Sequence, residues 1–336
     1  MSDGPARLAG AGEFDRKILE VFRSRPEGVV SGEALSQQLN VSRTAVWKHI
    51  RNLKALGYRI DAVPSRGYRL VASPDILTPA EITSGLATSR IGQTVICLRE
   101  TESTNAVAFS LAEEGAAEGT VVIADVQSRG KGRLGRRWES PAGVNLYCSV
   151  VLRPPLLPLH APQITFLSAV AAADAIARMT LLTPEIKWPN DVLVNGRKVA
   201  GMLNEMNAAT EGIAFIILGI GININMRRDQ FPDDLRHPAS SLALEAGVEV
   251  ARVPFIRAFL EALDARYRDF LARGFQPLKN AWLARCTVMN RRVMVSCRDG
   301  DLAGTVAGVD EIGALLLRRD GGGLERVLAG DVTVVD

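Results

Sequence analysis

A twelve-residue segment, Gln127 to Trp138, concentrates side chains that can bind an anion. It holds three glycines and five Lys or Arg residues. Glycines let the backbone approach a ligand closely, and five like charges in one loop need anions to offset their repulsion, for which phosphates are suited. The segment therefore predicts a phosphate-binding loop. An RNA-binding arginine-glycine stretch and a mobile solvated loop are the alternatives. A dinucleotide-binding turn is disfavoured, because that turn opens a helix and is less basic.

Polar residues with complementary chemistry lie on both sides of this loop. Ser103 and Thr104 precede a helix predicted over Asn105–Glu113, and either hydroxyl could cap it. Lys187 and Lys198 follow the loop and add cations. Lys198 comes after an Asn-Gly turn, so a plain surface lysine is its alternative interpretation.

The first 72 residues predict a small helical unit followed by a turn between two strands. Apolar spacing predicts a helix over Glu13–Ser24, Ser31 caps a short second helix, and Ser42 caps a third over Arg43–Leu56. The second and third helices are separated by only three residues, which is the helix-turn-helix spacing. Two short strands then flank a Pro-Ser-Arg-Gly turn, which indicates a wing.

One face of the third helix suits the major groove of DNA, because it carries cations for phosphates and polar groups for base edges. The first 72 residues hold 12 Lys or Arg against 7 Asp or Glu, whereas the remainder holds 28 against 30. A three-helix packing module with an ordinary charged surface is the alternative. We expect six residues to contact DNA: Arg43, Thr44, Trp47, Lys48, Arg51 and Arg66.

The rest of the chain predicts two further domains. Hairpin signals such as Asn195-Gly196 lie among helical segments such as Pro162–Met179, which favours an α+β domain with a mixed sheet. Beyond Arg285, short strands alternate with Gly-rich turns, as in a small β-barrel. The predicted domains are a winged helix-turn-helix at 1–73, an α+β domain at 74–285 and a small β domain at 286–336.

Composition excludes several classes of protein. The chain has 336 residues, of which 47% are hydrophobic and 23% charged, which excludes collagen, low-complexity disorder and a coiled-coil rod. A net charge of +3 excludes a strongly basic coat protein. The four cysteines show no Cys-x-x-Cys spacing, so we expect no zinc site and no disulfide framework. We find no signal peptide and no 18-residue apolar run, and so expect a cytoplasmic protein that does not bind membranes.

Five short motifs, taken with the predicted winged helix, carry a resemblance to a known family. They are Ser103-Thr104-Asn105, Gly130-Lys-Gly-Arg-x-Gly-Arg-x-Trp138, Lys187-Trp-Pro-Asn-Asp191, Lys198-Val-Ala-Gly201 and Gly219-Ile-Gly-Ile-Asn223. In this order they resemble the bifunctional biotin protein ligase/biotin operon repressors of the BirA type along nearly the whole chain. The fold that this family implies is α+β and multidomain, with an N-terminal winged helix-turn-helix, a central mixed-sheet ligase domain and a C-terminal SH3-like β-barrel.

The resemblance implies an enzyme that forms biotinoyl-5′-AMP from biotin and ATP with Mg²⁺, then transfers biotin to a lysine of a biotin carboxyl carrier protein. It implies catalytic roles for four cations: Lys131, Arg133, Lys187 and Lys198. The expected biotin and adenylate contacts are Ser103, Thr104, Asn105, Gln127, Gly130, Lys131, Gly132, Arg133, Arg136, Trp138, Lys198 and Gly201. The expected ATP or Mg²⁺ contacts are Asn190, Asp191 and Asn223.

The resemblance also implies regulation. Binding of biotinoyl-AMP would favour a homodimer that binds a two-fold operator and represses biotin biosynthesis genes. A lipoate or octanoate protein ligase, which shares the central fold, is one alternative. A non-catalytic repressor that senses a small ligand is the other.

Overall fold

The computed structural model describes residues 13–25, 28–209, 212–235, 238–298 and 300–335. The start of the predicted first domain, residues 1–12, therefore lies outside the described residues. The chain divides into two compact units, the first ending at Gly85 and the second beginning at Leu86. None of the described helices combines the length and the apolar character needed to cross a bilayer.

The first unit is a helix-turn-helix with a β-hairpin. Its elements are α1 (Glu13–Arg23), α2 (Gly32–Leu39), α3 (Arg43–Ala55), β1 (Arg59–Val63), β2 (Gly67–Ala72) and α4 (Pro79–Thr83). Ser31 and Ser42 each accept a capping hydrogen bond from the backbone N–H three residues on, and Asn40 adopts the left-handed conformation between α2 and α3. The three helices and the two caps predicted from the sequence are confirmed.

The faces of α3 are sorted as its sequence predicts. Val46, Ile50 and Leu53 are buried in the core of this unit. The five residues expected to meet DNA, Arg43, Thr44, Trp47, Lys48 and Arg51, are all exposed. The Arg51 guanidinium lies 5.5 Å from the centre of the Trp47 ring, and Arg66 is exposed in the turn between β1 and β2.

The buried carboxylate of Glu81 connects helix α4 to the rest of the first unit. Glu81 accepts hydrogen bonds from Arg23, at 2.5 Å, and from the Tyr58 hydroxyl. Burial is the largest of the causes that raise the pKa of Tyr58. The proposed boundary at residue 73 therefore precedes a short segment that packs on the winged helix.

The second unit is built on a seven-stranded mixed sheet. Its strands are β3 (Val95–Thr101), β4 (Val121–Gln127), β5 (Leu146–Leu152), β6 (Glu185–Lys187), β7 (Asp191–Val194), β8 (Arg197–Ala209) and β9 (Gly212–Ile222). The spatial order is β3-β4-β5-β9-β8-β7-β6, with β3 parallel to β4 and the other pairs antiparallel. This confirms the predicted mixed sheet.

Helices cover this sheet and bury its central strands. They are α5 (Thr104–Glu113), α6 (Pro162–Met179), α7 (Leu242–Ala246), α8 (Arg252–Arg273) and α9 (Phe275–Leu283). All seven residues of β5 are buried, as in a strand covered on both faces. Because α5 directly follows β3, its first turn lies at the carboxyl end of that strand.

A five-stranded antiparallel sheet completes the second unit. Its strands are β10 (Arg292–Cys297), β11 (Gly300–Val309), β12 (Leu315–Arg318), β13 (Leu324–Val327) and β14 (Asp331–Val334). They pair in the order β13-β12-β11-β10-β14, and the described pairs leave this sheet open rather than closed into a barrel.

Candidate active site

One cavity of about 530 Å³ gathers nearly all the residues that the sequence singled out in the central domain. It opens at the carboxyl end of β3, between the basic loop, strands β7 to β9 and the start of β14. The predicted residues that line it are Ser103, Thr104, Asn105, Gln127, Lys131, Gly132, Arg133, Arg136, Trp138, Lys187, Asn190, Asp191, Lys198, Gly201 and Asn223. Gly130 alone among the predicted central residues lies outside this lining.

A buried hydrogen-bond network forms one end of the cavity. The backbone N–H and the hydroxyl of Thr104 both donate to Gln127 Oε1, at 2.8 and 3.1 Å. The Ser149 hydroxyl lies 2.8 Å from Thr104 Oγ1 and 2.6 Å from Asn105 Oδ1. Ser103 occupies the N-cap position of α5 without making a side-chain capping bond. The position of Ser103 thus agrees with the capping interpretation, but its hydroxyl does not cap the helix.

Asn105 is held in place by strands β8 and β9. Its amide nitrogen donates to Glu205 Oε2 at 2.6 Å and to the Leu203 carbonyl at 3.3 Å. A Cβ atom added at Gly219 would lie 2.2 Å from Asn105 Oδ1, so only glycine leaves room there. This end of the cavity is thus rigid and offers hydroxyl and amide groups.

The basic loop folds back on itself as a narrow hairpin. Trp138 N–H donates to the Gly130 carbonyl at 2.9 Å, and Gly132 N–H donates to the Arg136 carbonyl at 2.7 Å. A Cβ atom at Gly130 would lie 2.4 Å from the Trp138 carbonyl oxygen. The glycine at 130 therefore permits the fold of the loop. At the tip, Leu134 has a φ of 56° and is 73% exposed.

The Trp138 ring lies over two glycines of the sheet. A Cβ atom would be 2.5 Å from the indole at Gly221 and 2.9 Å at Gly201. The Lys198 ammonium lies 5.4 Å from the centre of the same ring. Trp138 Nε1 is buried and makes no hydrogen bond. The indole ring thus covers the floor of the cavity. Its Nε1–H has no hydrogen-bond partner, and the Lys198 ammonium lies close to the ring.

Lys198 is positioned both by its backbone and by its ammonium. Its N–H donates to the Pro238 carbonyl at 2.9 Å, and its carbonyl accepts from Ser240 N–H at 2.9 Å. The ammonium forms an ion pair with Asp191 Oδ1 at 2.6 Å. Lys187 in β6 is the register partner of Asp191 in β7, so it lies on the strand next to this ion pair.

Arg133 spans the cavity from the loop to the C-terminal sheet. One Nη donates to Asn190 Oδ1 at 3.0 Å, and the guanidinium reaches the Gly330 carbonyl at 3.3 Å. Burial lowers the pKa of the Arg133 guanidinium, whereas the carboxylates of Asp331 and Asp191 oppose that shift. Asn190 and Asp191 therefore orient two cations, Arg133 and Lys198 respectively.

Sequence reasoning missed several residues that shape this site. Ser149 links Thr104 to Asn105, and Asp331 pairs with Arg136 from the C-terminal sheet. Neither lies in a recognisable motif. Asn223, predicted near ATP, lines the cavity while its amide nitrogen donates to the Ser240 carbonyl at 3.1 Å. Among the described residues, no three His, Cys, Asp or Glu side chains are grouped to hold a metal ion.

Comparisons with known proteins give the site a family context. The family model described as Biotin/lipoate A/B protein ligase family matches residues 97–223. The Bifunctional ligase/repressor BirA of Bacillus subtilis (strain 168) is 38% identical over 317 residues, covering 94% of this chain and 97% of the relative. This chain belongs to the family of bifunctional ligase/repressors.

A second relative, a solved structure of a ligase and two further domain models also match this chain. The Bifunctional ligase/repressor BirA of Escherichia coli (strain K12) is 32% identical, covering 87% of this chain and 88% of the relative. The biotin protein ligase from Aquifex aeolicus in complex with biotin and ATP superposes with a TM-score of 0.63 at 28% identity, covering 72% of this chain and 99% of that one. An HTH domain matches 15–69, and a Biotin protein ligase C terminal domain matches 288–335.

Proposed function

We propose that this chain activates biotin with ATP and transfers it to a lysine of a biotin carboxyl carrier protein. In the first step a biotin carboxylate oxygen attacks the α-phosphorus of ATP, and pyrophosphate leaves. In the second, the lysine amine attacks the carbonyl of biotinoyl-5′-AMP, loses a proton, and AMP leaves. The observation that carries the proposal is the cavity that joins a neutral polar end to a cluster of cations.

The polar end suits the ureido ring of biotin. A urea offers two N–H donors and one carbonyl acceptor. Ser103, Thr104, Asn105 and Gln127 present hydroxyls and amides of both kinds around this end of the cavity. Because Asn105 and Thr104 are already fixed by Ser149 and Glu205, little side-chain entropy is lost when the ring binds.

The cationic end suits the first step, in which two anions must meet. Lys198, next to Trp138 and Asp191, is our choice for the junction of carboxylate and α-phosphate, where negative charge develops in the transition state. Arg133 and Lys131 come from the loop, and Lys187 adds a fourth cation from β6. Cations fixed before the reaction need no reorganisation as charge develops.

Magnesium enters this proposal with ATP. Oxygen ligands suit Mg²⁺, and Asn190 and Asp191 supply such oxygens. However, Asn190 Oδ1 accepts from Arg133 and Asp191 Oδ1 pairs with Lys198, so both oxygens are engaged in orienting cations. These residues therefore do not form a preformed Mg²⁺ site.

The first unit supports a role as a transcriptional repressor of biotin biosynthesis genes. Its recognition helix α3 presents the exposed face of Arg43, Trp47 and Lys48, with Arg66 in the wing. Cations would neutralise operator phosphates while the residues near the start of α3 reach base edges. Biotinoyl-AMP would act as the signal, by favouring a homodimer that matches a two-fold operator.

Three finer features belong to the same proposal. The domain boundaries would lie between residues 73 and 74 and between residues 285 and 286. Each boundary lies close in sequence to a different sheet. The C-terminal sheet would be the SH3-like module, a proposal that its five antiparallel strands support. The use of ATP and operator DNA would place the protein in the cytoplasm.

A substrate-exchange assay tests the ligase. We expect biotin to stimulate exchange of labelled pyrophosphate into ATP, and a biotin carboxyl carrier domain to become labelled. Exchange with lipoate or octanoate alone would replace the proposal with the related acyl ligase activity. Biotin binding without exchange would instead indicate a ligand-sensing repressor.

Lys198→Ala tests the assigned role of the lysine. We expect exchange to fall by about 10²–10³-fold, as when one fixed donor to a transition-state oxyanion is removed. Lys279→Ala is the matched control, because Lys279 pairs with Glu311 outside the cavity. Full activity of the Lys198 variant, with an unchanged melting temperature, would remove Lys198 from the mechanism.

A further inference from the structure

One turn of the C-terminal sheet, residues 310–314 between β11 and β12, contacts the wall of the cavity through Trp188. The indole Nε1–H of Trp188 donates to the Gly313 carbonyl at 3.1 Å. Trp188 lines the cavity, is 2% exposed, and lies directly after Lys187 in the turn between β6 and β7. The hydrogen bond therefore joins the C-terminal sheet to one end of the mixed sheet.

Gly313 has the backbone that this contact requires. Its φ is 88°, in the left-handed region that favours glycine. A Cβ atom at this position would also lie 2.8 Å from the Phe166 ring of α6. A side chain at position 313 would thus push the turn away from α6 and displace the carbonyl to which Trp188 donates.

The Asp310 carboxylate holds the turn in its shape. Its Oδ1 accepts from the backbone N–H groups of Ile312 and Ala314, each at 2.9 Å. Its Oδ2 accepts from Arg326 Nε at 2.6 Å. The turn is therefore closed by residues of the C-terminal sheet, and the Gly313 carbonyl is presented to Trp188 in a fixed position.

Two further contacts hold the C-terminal segment against the central domain. Gln163 Nε2 in α6 donates to the Glu311 carbonyl at 2.7 Å. The segment that leads into the C-terminal sheet also pairs with β6, since Ile186 N–H donates to the Arg285 carbonyl at 2.8 Å and Thr287 N–H donates to the Ile186 carbonyl at 3.1 Å. Strand β6 is thus held along one edge and, through Trp188, at its end.

The residues on both sides of Trp188 are assigned to the reacting end of the cavity. Lys187 precedes it, and Asp191, three positions further on, pairs with the Lys198 ammonium at 2.6 Å. The polar end of the cavity is different, because Thr104 and Asn105 follow β3, at the opposite edge of the seven-stranded sheet. A shift of Trp188 would therefore move the reacting end more than the polar end.

We propose that Trp188 is a positioning residue through which the C-terminal sheet fixes Lys187 and Asp191 relative to Lys198. This inference rests on the proposed ligase function. Trp188 acts through its neighbours in the chain and not on the reacting atoms. A misplacement of about 1 Å in such groups slows the chemical step strongly, whereas the contacts at the distant polar end are retained.

Trp188→Phe keeps an aromatic ring and removes the N–H donor. We expect the kcat of biotin-dependent pyrophosphate exchange to fall about tenfold, while the KM for biotin stays within about twofold. Asp310→Ala should have the same effect from outside the cavity lining, because it loosens the turn that presents the Gly313 carbonyl. Asp310→Asn keeps an oxygen for the two backbone N–H groups and should recover most of the kcat.

The double variant Trp188→Phe with Asp310→Ala shows whether both changes act through one contact. If they do, the combined loss of kcat should stay near tenfold instead of multiplying to about a hundredfold. Multiplying losses would overturn the proposal, and so would an unchanged kcat in Trp188→Phe. A rise in the KM for biotin as large as the fall in kcat would also overturn it, by showing a general distortion of the cavity.

Asp320→Ala is the matched control, because Asp320 pairs with Arg292 and lies in the turn between β12 and β13 of the same sheet. It removes an aspartate from a different turn and should leave the kcat and the KM at wild-type values. A fall in kcat equal to that of Asp310→Ala would show that any change in this sheet has the effect, and would overturn the specific role of residues 310–314.

Hydrogen exchange of the tryptophan indole N–H groups tests the link without substrate. The chain has four tryptophans, and Trp282 is also fully buried. In Asp310→Ala we expect the Trp188 indole N–H to exchange about tenfold faster, with Trp282 unchanged, because only a local contact is opened. Equal acceleration at both would show a general loss of stability and overturn the proposal. A wild-type protein without pyrophosphate exchange would refute the ligase function alone, since the indole measurement is independent of activity.

Discussion

Glycine is a functional residue in this cavity because it has no Cβ. Gly201 and Gly221 lie side by side on β8 and β9, where they are register partners. Together they form a shallow depression for the Trp138 ring. The indole is thereby placed beside Lys198, so two residues without side chains determine where a large side chain and a cation meet.

Substitution of Gly221 by alanine should displace the Trp138 ring. A Cβ atom 2.5 Å from the indole cannot be accommodated without movement, and the flanking atoms belong to a buried strand. We expect the KM for biotin to rise about tenfold or more, since a misplacement of about 1 Å is costly in active sites. Steady-state kinetics and tryptophan fluorescence measure the two effects.

Gly321→Ala is the control for this prediction. A Cβ atom added at position 321 would meet open space, and the backbone there is not left-handed, so the variant should behave as wild type. Unchanged kinetics in the Gly221 variant would show that the Trp138 position has no influence on binding.

At the scale of elements, the turn between β7 and β8 is fixed to α7. Arg197 Nε and Nη2 donate to the two oxygens of Glu245, each at 2.7 Å, and Asn195 donates to the same carboxylate at 2.8 Å. This bidentate pair lies next to Lys198 in sequence. The helix therefore helps to set the position from which Lys198 projects.

Glu245→Gln should alter stability and its pH dependence. The Arg197 hydrogen bonds are the first cause that lowers the pKa of Glu245 to about 2, from an ordinary 4.5. A depressed folded pKa contributes stability that is present above pH 4.5 and is lost as the pH falls toward 2. We expect the variant to lose about 1.5–3 kcal/mol of unfolding free energy at pH 7, with the difference shrinking below about pH 4.5.

Denaturant unfolding between about pH 2 and 7 measures this difference. Glu325→Gln, which breaks an exposed pair with Arg319, should change stability by less than about 1 kcal/mol. A Glu245 variant whose deficit is the same at low and neutral pH would contradict the ionic origin.

The exposed cations of the recognition helix α3 lead to a separate prediction. Arg43→Ala with Lys48→Ala should weaken operator binding and leave pyrophosphate exchange unchanged, because both side chains are exposed on α3 and outside the cavity. The slope of log affinity against log salt should fall by about one for each phosphate-contacting cation removed.

The double variant Arg178→Ala with Arg319→Ala removes the same charge from the second unit and serves as the control. It should retain both operator affinity and salt slope. A joint loss of DNA binding and exchange in the α3 variant would indicate a folding defect instead of a lost DNA contact.

Elements whose ends are determined by residues close to them in the sequence were predictable. Ser31, Asn40 and Ser42 determine the ends of α2 and α3 through side-chain caps and a left-handed residue, all of which are local. Elements defined by distant partners were missed. The three-residue strand β6 has too few residues for a periodic pattern, and α9 carries Pro277 near its start, which weakens a helical pattern.

At the scale of the whole molecule, two basic sites serve two different polyanions. One lies on the first unit and faces outward, and the other is enclosed in the second unit, so a nearly neutral total charge conceals both. The proposed regulation joins them through self-association, since a two-fold operator requires two copies of α3.

Sedimentation with and without biotinoyl-AMP tests that link. We expect the ligand-free protein to sediment as a monomer and the liganded protein to approach twice that mass. The Arg43/Lys48 double variant should still dimerise, because its changes leave the cavity intact. An unchanged monomer mass at saturating ligand would refute dimerisation as the signal.

The site itself was predictable only in part. Motifs singled out Lys198, Arg133 and the Ser103–Asn105 segment, and the structure brings these residues together in one cavity. No sequence motif around Asp331 or Ser149 indicated that these residues belong to the site. Their positions depend on strand order, which brings together residues that no short window of sequence relates.

The anchoring of Arg133 by Gly330 has a consequence for synthesis of the chain. These residues are 197 positions apart, so the contact forms only after more than half the length of the protein has been translated beyond the loop. Long-range closure of this kind is slow, because chain entropy must be lost before the contact forms. A nascent chain on the ribosome can therefore complete the mixed sheet while its cavity still lacks one wall. The lining of the cavity is complete only once β14 has paired with β10.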